Sequence, residues 1–186
     1  PKETARLQFN WYAEFLSNLL LIKVISYVLY LSILGHALMA LWIGIQSRKA
    51  QGKTRYAYDR RAGVTAWYHR HMELLGVVLL LFIIIHMKDF WFVFQFGALP
   101  LDQGGHKDLY EIVVQAFGQL WYVVLYVISV IALGYHLLHG FFAAFRSLGL
   151  FHSKFSRWVY YFGWFYTLVM TLGFSIIPIY IYFTQS

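Results

Sequence analysis

Cysteine is absent from this chain, and charged side chains are scarce. None of the 186 residues is cysteine, and only 12% are Asp, Glu, Lys or Arg, whereas an average soluble domain has about 25%. The lack of cysteine excludes disulfide bonds, thiolate-ligated iron–sulfur clusters and cysteine-type zinc sites. The eight histidines are therefore the side chains that remain for binding a soft or borderline metal ion.

Hydrophobic residues make up 60% of the chain, more than a compact soluble fold of this length can bury, so the class is integral membrane. A helix needs about 20 apolar residues to cross a bilayer core. Four stretches are long enough, at about residues 19–46, 74–92, 120–145 and 158–183. We predict an all-α transmembrane bundle that forms a single domain over residues 1–186, with Pro178 kinking the fourth helix or breaking its last turn.

The connections between the spans differ in charge. Those after the first and third spans are basic, and the connection after the second span is acidic. The positive-inside rule places the basic connections in the cytoplasm and the acidic one outside, which accounts for the net charge of +7 without a nucleic acid partner. The chain begins with Pro1 rather than Met, and both its ends are then outside, so we expect one further span upstream. The basic residues concerned are Arg48, Lys49, Lys53, Arg55, Arg60, Arg61, Arg70, Arg146, Lys154 and Arg157.

Three histidines lie inside apolar spans, where an unpaired imidazole is costly. His36 and His136 lie past the midpoints of the first and third spans, which run in the same direction, so the two share one depth. Two imidazoles at one depth on two helices can ligate one haem iron axially. His86, on the oppositely directed second span, lies nearer the outside, and we expect it to ligate a second haem whose other ligand comes from the upstream helix. The alternative is that each histidine is hydrogen-bonded to a neighbouring helix.

The remaining histidines have weaker claims to a cofactor. His139 lies one turn beyond His136, as a second candidate ligand, a donor to a haem propionate or a packing residue. We expect four others to be solvated or interfacial, namely His69, His71, His106 and His152. Without iron, His86 would need a hydrogen-bonding partner, and its own neighbours offer none; these are Ile83, Ile84, Ile85 and Phe90.

Small and basic residues near these histidines are candidate surroundings for a haem. Glycine lets a backbone approach a flat macrocycle closely, although small residues also mark ordinary helix–helix contacts. Arg70, just before the second span, is expected to pair with a haem propionate or dock a partner subunit, with a plain positive-inside charge as the alternative. The candidate glycines are Gly35, Gly76, Gly134 and Gly140.

Several runs around these histidines form a specific pattern that covers most of the chain. They are Gly35-His36-Ala37, Gln46-Ser47-Arg48-Lys49-Ala50, Arg55-Tyr56-Ala57, His71-Met72, Gly76, Ile85-His86-Met87-Lys88-Asp89-Phe90-Trp91, Tyr135 to Phe145, Leu148-Gly149, Gly173-Phe174 and Ile177-Pro178. This pattern resembles the two-haem cytochrome b anchor of succinate:quinone and quinol:fumarate reductases. The likeness is to the five-helix type with a single anchor subunit, in the forms found in Bacteroidetes and related bacteria.

The resemblance implies an electron-transfer subunit with two b haems in a bacterial inner membrane. A flavoprotein subunit and an iron–sulfur subunit would bind at its cytoplasmic face, and electrons from succinate would pass through the haems to a quinone, menaquinone in these forms. In this family the ligand of this helix begins a His-x-x-x-Gly pattern thirteen residues before a glycine, which favours His136, with Gly140 and Gly149, over His139. The family's first helix supplies one more ligand, and the flavin chemistry lies on another chain.

Residues at the outer end are candidate quinone contacts under this resemblance. Asp89 lies one turn beyond His86, and Trp91 is placed to stack on a ring. Tyr110 and Glu111 are candidates for exchanging protons with the outer connection. The alternative for all four is interfacial anchoring.

Two other classes of protein compete with a cytochrome. A non-haem di-iron oxidase needs a cluster of about eight histidines and acids near the cytoplasmic face, and the chain offers only His69-Arg70-His71 there. A channel or carrier would use the buried histidines as a proton relay, and it predicts polar partners inside the spans. Apart from Lys88-Asp89 the spans contain almost none.

Overall fold

The computed structural model describes residues 2–52, 66–150 and 156–185. Over these ranges the chain forms helices joined by short connections, with one isolated β-bridge between Leu101 and Lys107. Helix α4 contains a π-helical segment at Met87–Phe92. The helices are α1 (Lys2–Asn18), α2 (Leu20–Gln51), α3 (Trp67–Arg70), α4 (Met72–Phe96), α5 (Leu109–Phe117), α6 (Leu120–Ser147) and α7 (Ser156–Gln185).

Four of these helices, α2, α4, α6 and α7, are long and apolar enough to cross a membrane. The predicted all-α bundle and its four spans are therefore confirmed, and the chain is a multi-pass membrane protein. Helix α7 runs through Pro178 to Gln185, so Pro178 does not break its last turn, and the kink that we predicted as the alternative stays a prediction. Five of the basic residues and one histidine considered in the sequence analysis lie outside the described residues: Lys53, Arg55, Arg60, Arg61, Lys154 and His152.

Helix α6 is the centre of the bundle and packs against α4 on one side and α7 on the other. Close contact with α7 is possible because Gly134 has no side chain: a Cβ atom there would lie 2.4 Å from Oγ1 of Thr171. Helix α2 has no buried residue and packs loosely against the rest. Its apolar side chains thus face lipid or a space between the helices.

A polar cluster fastens α1 to the connection between α4 and α5, at the end that the charge pattern predicts to be outside. Asn10 is fully buried, and its amide donates to Asp102 at 3.0 Å and to Asp108 at 2.9 Å, while its oxygen accepts from the backbone N–H of Tyr110 at 2.9 Å. Arg6 donates to Asp108, whose side chain is 1% exposed. We call Arg6, Asn10, Asp102 and Asp108 the polar clamp.

The polar clamp and α1 itself were missed by sequence reasoning. The first 18 residues lack the apolar run of a span, and the partners of Asn10 lie more than 90 positions away in the chain. His106 also joins this region: its Nδ1 lies 2.9 Å from Glu14 Oε2, and its side chain is partly exposed, which agrees with the interfacial alternative predicted for it. The clamp places α1 over the end of the bundle, where its residues Ala13 and Ser17 line a cavity described below.

Replacing Asn10 with alanine is expected to release α1 from the bundle. The change removes three hydrogen bonds and leaves two buried carboxylates short of donors, at a cost of about 1–3 kcal/mol in docking free energy. Hydrogen exchange of the α1 amides measures this, and Gln8→Ala, at an exposed position of the same helix, is the control. Equal protection of α1 in the two variants would contradict the role of the clamp.

Docking of α1 is also expected to weaken at acid pH. Burial by itself raises the pKa of Asp102 and of Asp108, but hydrogen bonds lower each pKa further, so the net pKa of both lies below the usual value. A carboxylate with a lowered pKa in the folded state stabilises it above the unfolded pKa of about 3.9 and loses that contribution as the pH falls. The protection factors of the α1 amides, which compare the observed exchange rates with the intrinsic rates at the same pH, should therefore fall below that pH relative to their values at neutral pH.

Candidate functional site

His36 and His136 face each other across the space between α2 and α6. Each lies sixteen residues after the first residue of its helix, and both helices begin at the same end of the bundle. Their ring centres are 6.1 Å apart, and their ring planes are at 84°. The prediction that these two histidines share one depth is therefore confirmed by their position.

This spacing fits a metal ion held between the two rings. Two imidazoles on opposite sides of one metal have ring centres roughly 6 Å apart, because each metal–nitrogen bond is about 2 Å long. Nδ1 of His136 is buried and has no hydrogen-bond partner among the residues that the structure describes. An unpaired buried nitrogen costs about 1–3 kcal/mol, which a metal bond or a hydrogen bond would remove. The residues present thus fit an axially ligated iron.

The candidate glycines divide into two groups. Gly35 and Gly140 have open space where a side chain would be, and a Cβ at Gly76 would lie 3.9 Å from Cε1 of His136. Gly76 thus leaves room beside His136, whereas the open space at Gly35 and Gly140 is at exposed positions of their helices. Gly134 instead serves the contact with Thr171, which is the helix–helix alternative considered for it.

His86 lies in a second environment, beside a cavity of about 780 Å³ that is bounded by α1, α2, α4, α5 and α6. Tyr30 and Trp91, whose rings meet edge to face at 5.7 Å, line the same cavity. Nδ1 of His86 lies 3.1 Å from the hydroxyl of Tyr126 on α6. The expectation that His86 lacks a hydrogen-bonding partner without iron is therefore wrong, because its partner comes from the third span rather than from its own helix.

Tyr126 begins a polar path inside the bundle. Its hydroxyl lies 3.4 Å from that of Tyr122, which in turn donates to Asp89 at 2.8 Å. Lys88 lies 2.8 Å from the other carboxylate oxygen of Asp89. The expectation of almost no polar partners inside the spans overlooked these tyrosine hydroxyls, although a four-residue spacing places Tyr122 and Tyr126 on one face of α6.

The π-helical segment Met87–Phe92 follows His86 directly. Single π turns inside α-helices are rare and occur frequently at functional sites. Here the segment contains Asp89, which meets α6, and Trp91, which meets the cavity. No hydropathy pattern distinguishes a π turn from an α turn, so sequence reasoning could not find it.

At the other end of the bundle, His139 pairs with His69. Their Nδ1 atoms are 2.5 Å apart, so His139 packs against a partly exposed histidine that we expected to be solvated or interfacial. His71 stacks on Trp67 with ring centres 4.7 Å apart. Arg70 is exposed beside them, a placement that suits either of the interpretations given for it.

The four candidate quinone contacts do not form one group. Asp89 and Trp91 belong to the π-helical segment next to His86. Tyr110 packs its ring edge to face on Phe9 of α1, with centres 5.9 Å apart, and the backbone N–H of Glu111 donates to the N-cap residue of α5, Asp108, at 3.3 Å. Leu109 and Val113 of α5 line the cavity, whereas Tyr110 and Glu111 face α1.

Residues 2–52, 66–150 and 156–185 contain no group of three or more His, Asp or Glu side chains arranged to hold a metal ion, which is the arrangement that a di-iron site needs. Comparison with family models, curated proteins and solved structures found no match to this chain. The choice of a function therefore depends on the residues and geometry described above.

Proposed function

We propose that this protein is a cytochrome b membrane anchor of the succinate:quinone oxidoreductase and quinol:fumarate reductase type, in the cytoplasmic membrane of a bacterium. The observation that carries the proposal is the approach of His36 and His136 from two different spans to 6.1 Å between ring centres. Histidine is rare inside apolar spans and is retained there for a function. The resemblance of the runs around His36, His86 and His136 supports the same choice.

The histidine pair would hold one haem b through two neutral imidazoles, and His86 would supply one ligand to a second haem in the cavity. A bound haem accepts and returns single electrons. The chain's own contribution is to hold the rings in place and to keep water away with apolar helices. Because both axial positions of the first iron would be filled by histidine, the residues favour electron transfer over reaction of a substrate at the metal.

The two ends of the bundle suit different partners. The end with Arg48, Lys49 and Arg70 is basic and would face a flavoprotein and an iron–sulfur subunit in the cytoplasm. The opposite end has the cavity with Trp91 and Tyr30, whose aromatic lining suits an apolar ring compound such as menaquinone. Asp89, 2.8 Å from the Tyr122 hydroxyl, belongs to the π-helical segment that also supplies Trp91 to this cavity, and it is our candidate for exchanging protons with a quinone.

A carrier that uses histidine as a proton relay is the second candidate, and one observation favours it. The path from Asp89 through Tyr122 and Tyr126 to His86 is a row of polar groups inside the apolar spans. Such a carrier would transport protons without haem. The histidine pair on α2 and α6 lies apart from this path and has no evident role in it.

Purification of the full-length protein from its native membrane tests the proposed function. We expect it to copurify with a flavin-containing and an iron–sulfur-containing subunit, and succinate should reduce its b haem. His71→Ala, which changes a histidine bonded to its own helix, should leave this reduction unchanged. Isolation of a haem-free protein that moves protons across vesicles would favour the carrier instead.

A further inference from the structure

Four side chains form a continuous path that begins at Asp89, in the π-helical segment of α4, passes through two tyrosines of α6 and returns to the ring of His86 on α4. Asp89 accepts from the Tyr122 hydroxyl at 2.8 Å, the Tyr122 and Tyr126 hydroxyls are 3.4 Å apart, and the Tyr126 hydroxyl lies 3.1 Å from Nδ1 of His86. Tyr122 and Tyr126 are both buried in α6. Because both side chains are more than nine-tenths buried, we expect each hydroxyl to donate within the path rather than to bulk water.

The carboxylate fixes the direction of every hydrogen bond along this path. Ionised Asp89 can only accept, and its other oxygen faces the Lys88 ammonium at 2.8 Å. A tyrosine hydroxyl has one proton, so Tyr122, which donates to Asp89, can only accept from Tyr126. The hydroxyl proton of Tyr126 is then donated to Tyr122, so the Tyr126 oxygen can only accept from His86. With the hydrogen bond from Tyr126 to Tyr122 formed, Nδ1 of His86 is therefore the atom that carries the proton.

We propose that Asp89 is a positioning residue that acts through Tyr122 and Tyr126 to hold His86 in the Nδ1–H tautomer. Nε2 is then the nitrogen with a free lone pair, on a ring that lines the cavity. A neutral imidazole binds a metal through such a lone pair, while its other N–H donates to an acceptor that fixes the ring. The role as an iron ligand rests on the proposed function, whereas the tautomer is a property of the protein without haem.

The same argument predicts what happens when the carboxylate is lost. In Asp89→Asn the new amide can donate to Tyr122, which frees Tyr122 to donate to Tyr126 and Tyr126 to donate to Nδ1 of His86. The proton of the imidazole then moves to Nε2 and occupies the lone pair that a metal needs. Tyr126→Phe removes the acceptor altogether and leaves neither tautomer favoured by the path.

Nitrogen NMR of histidine-labelled, haem-free full-length protein in lipid tests this directly, because the protonated and bare ring nitrogens of neutral histidine resonate far apart. His86 is identified by the signal that disappears in His86→Gln. We expect Nδ1–H in the wild type, and a change in the tautomer ratio of about tenfold toward Nε2–H in Asp89→Asn, the size that corresponds to one hydrogen bond. Tyr122→Phe interrupts the path at its middle and should shift the ratio in the same direction.

Tyr30→Phe is the matched control, since Tyr30 lines the same cavity and contacts Trp91 rather than the path. Its tautomer ratio should equal that of the wild type. An Nε2–H signal in the wild type, or an unchanged ratio in both Asp89→Asn and Tyr122→Phe, would overturn the proposal. Haem content, measured separately on protein loaded with haem, tests the proposed function. The tautomer proposal and the proposed function can therefore fail independently.

Haem-loaded protein gives a second readout. Donation from Nδ1–H to an acceptor strengthens the imidazole as a ligand, so its loss in Tyr126→Phe should raise the midpoint potential of one haem and leave the other unchanged. Tyr126→Phe keeps the charge of Asp89, which separates this effect from simple electrostatics. Equal potentials in Tyr126→Phe and the wild type would contradict the role of the path.

Discussion

Replacement of His36 or His136 by alanine is expected to remove roughly half of the b haem from a full-length protein with two haems. Each change takes away one of the two imidazoles whose ring centres are 6.1 Å apart and would leave the iron held by a single histidine. Pyridine haemochrome content per milligram of protein measures the loss. The same amount should be lost in both variants, because the two residues serve one iron.

His71→Ala is the control for this pair, since Nδ1 of His71 lies 2.9 Å from the backbone carbonyl oxygen of Trp67, four residues earlier in the chain. It should retain all of the haem. Loss of haem in His139→Ala but not in His136→Ala would show that the wrong histidine of α6 was chosen. Full retention in both His36→Ala and His136→Ala would rule out the pairing.

Replacement of His86 by alanine is expected to remove the other half of the haem. The cavity beside His86 has a volume of about 780 Å³, and its described lining offers no second histidine, so loss of this one ligand leaves the site without an imidazole from this chain. His86→Met is the informative companion, because a thioether also ligates haem iron and raises its potential. We expect His86→Met to retain haem at a higher midpoint potential.

A redox titration that resolves two midpoint potentials distinguishes the two haem sites. His86→Ala should remove one of the two components and leave the component of the His36–His136 pair intact. A loss of both components together, with the protein still folded by circular dichroism, would mean that His86 does not serve a separate iron. One haem per chain in the wild type would contradict the second site altogether.

The spans and the depth of the histidine pair could be predicted because both depend on position along a helix. Hydropathy places the ends of each helix within a few residues, and a fixed rise per residue then puts His36 and His136 at one level. The direction in which each ring points depends on the rotation of the helix about its axis. That rotation is set by contacts such as Gly134 against Thr171, which only the folded structure reveals.

The partner of His86 illustrates what the sequence could not provide. Tyr126 is forty residues away, and nothing in the local pattern of α4 indicates that a hydroxyl from α6 meets Nδ1. The π-helical segment shifts the residues after His86 around the helix, which helps Asp89 to reach Tyr122. The polar clamp around Asn10 was missed for the same reason, because its contacts join distant parts of the chain.

The pairing of His69 with His139 also changes how the basic end is understood. Both were considered separately, one as solvated and one as a candidate ligand, yet their Nδ1 atoms are 2.5 Å apart. A partner at Nδ1 leaves Nε2 available, as argued for His86, so this pairing does not by itself distinguish His139 from His136. The choice of His136 rests on its ring facing that of His36, with ring centres 6.1 Å apart.

A reduced-minus-oxidised visible spectrum of the purified full-length protein tests the central claim most directly. Bis-histidine ligation by His36 and His136 predicts a sharp α-band of the b type, with no change on addition of carbon monoxide because the iron has no open axial position. The His136→Ala protein, prepared in the same way, should show a weaker α-band than the wild type. A protein that folds, retains its four helices and shows no α-band would contradict the account.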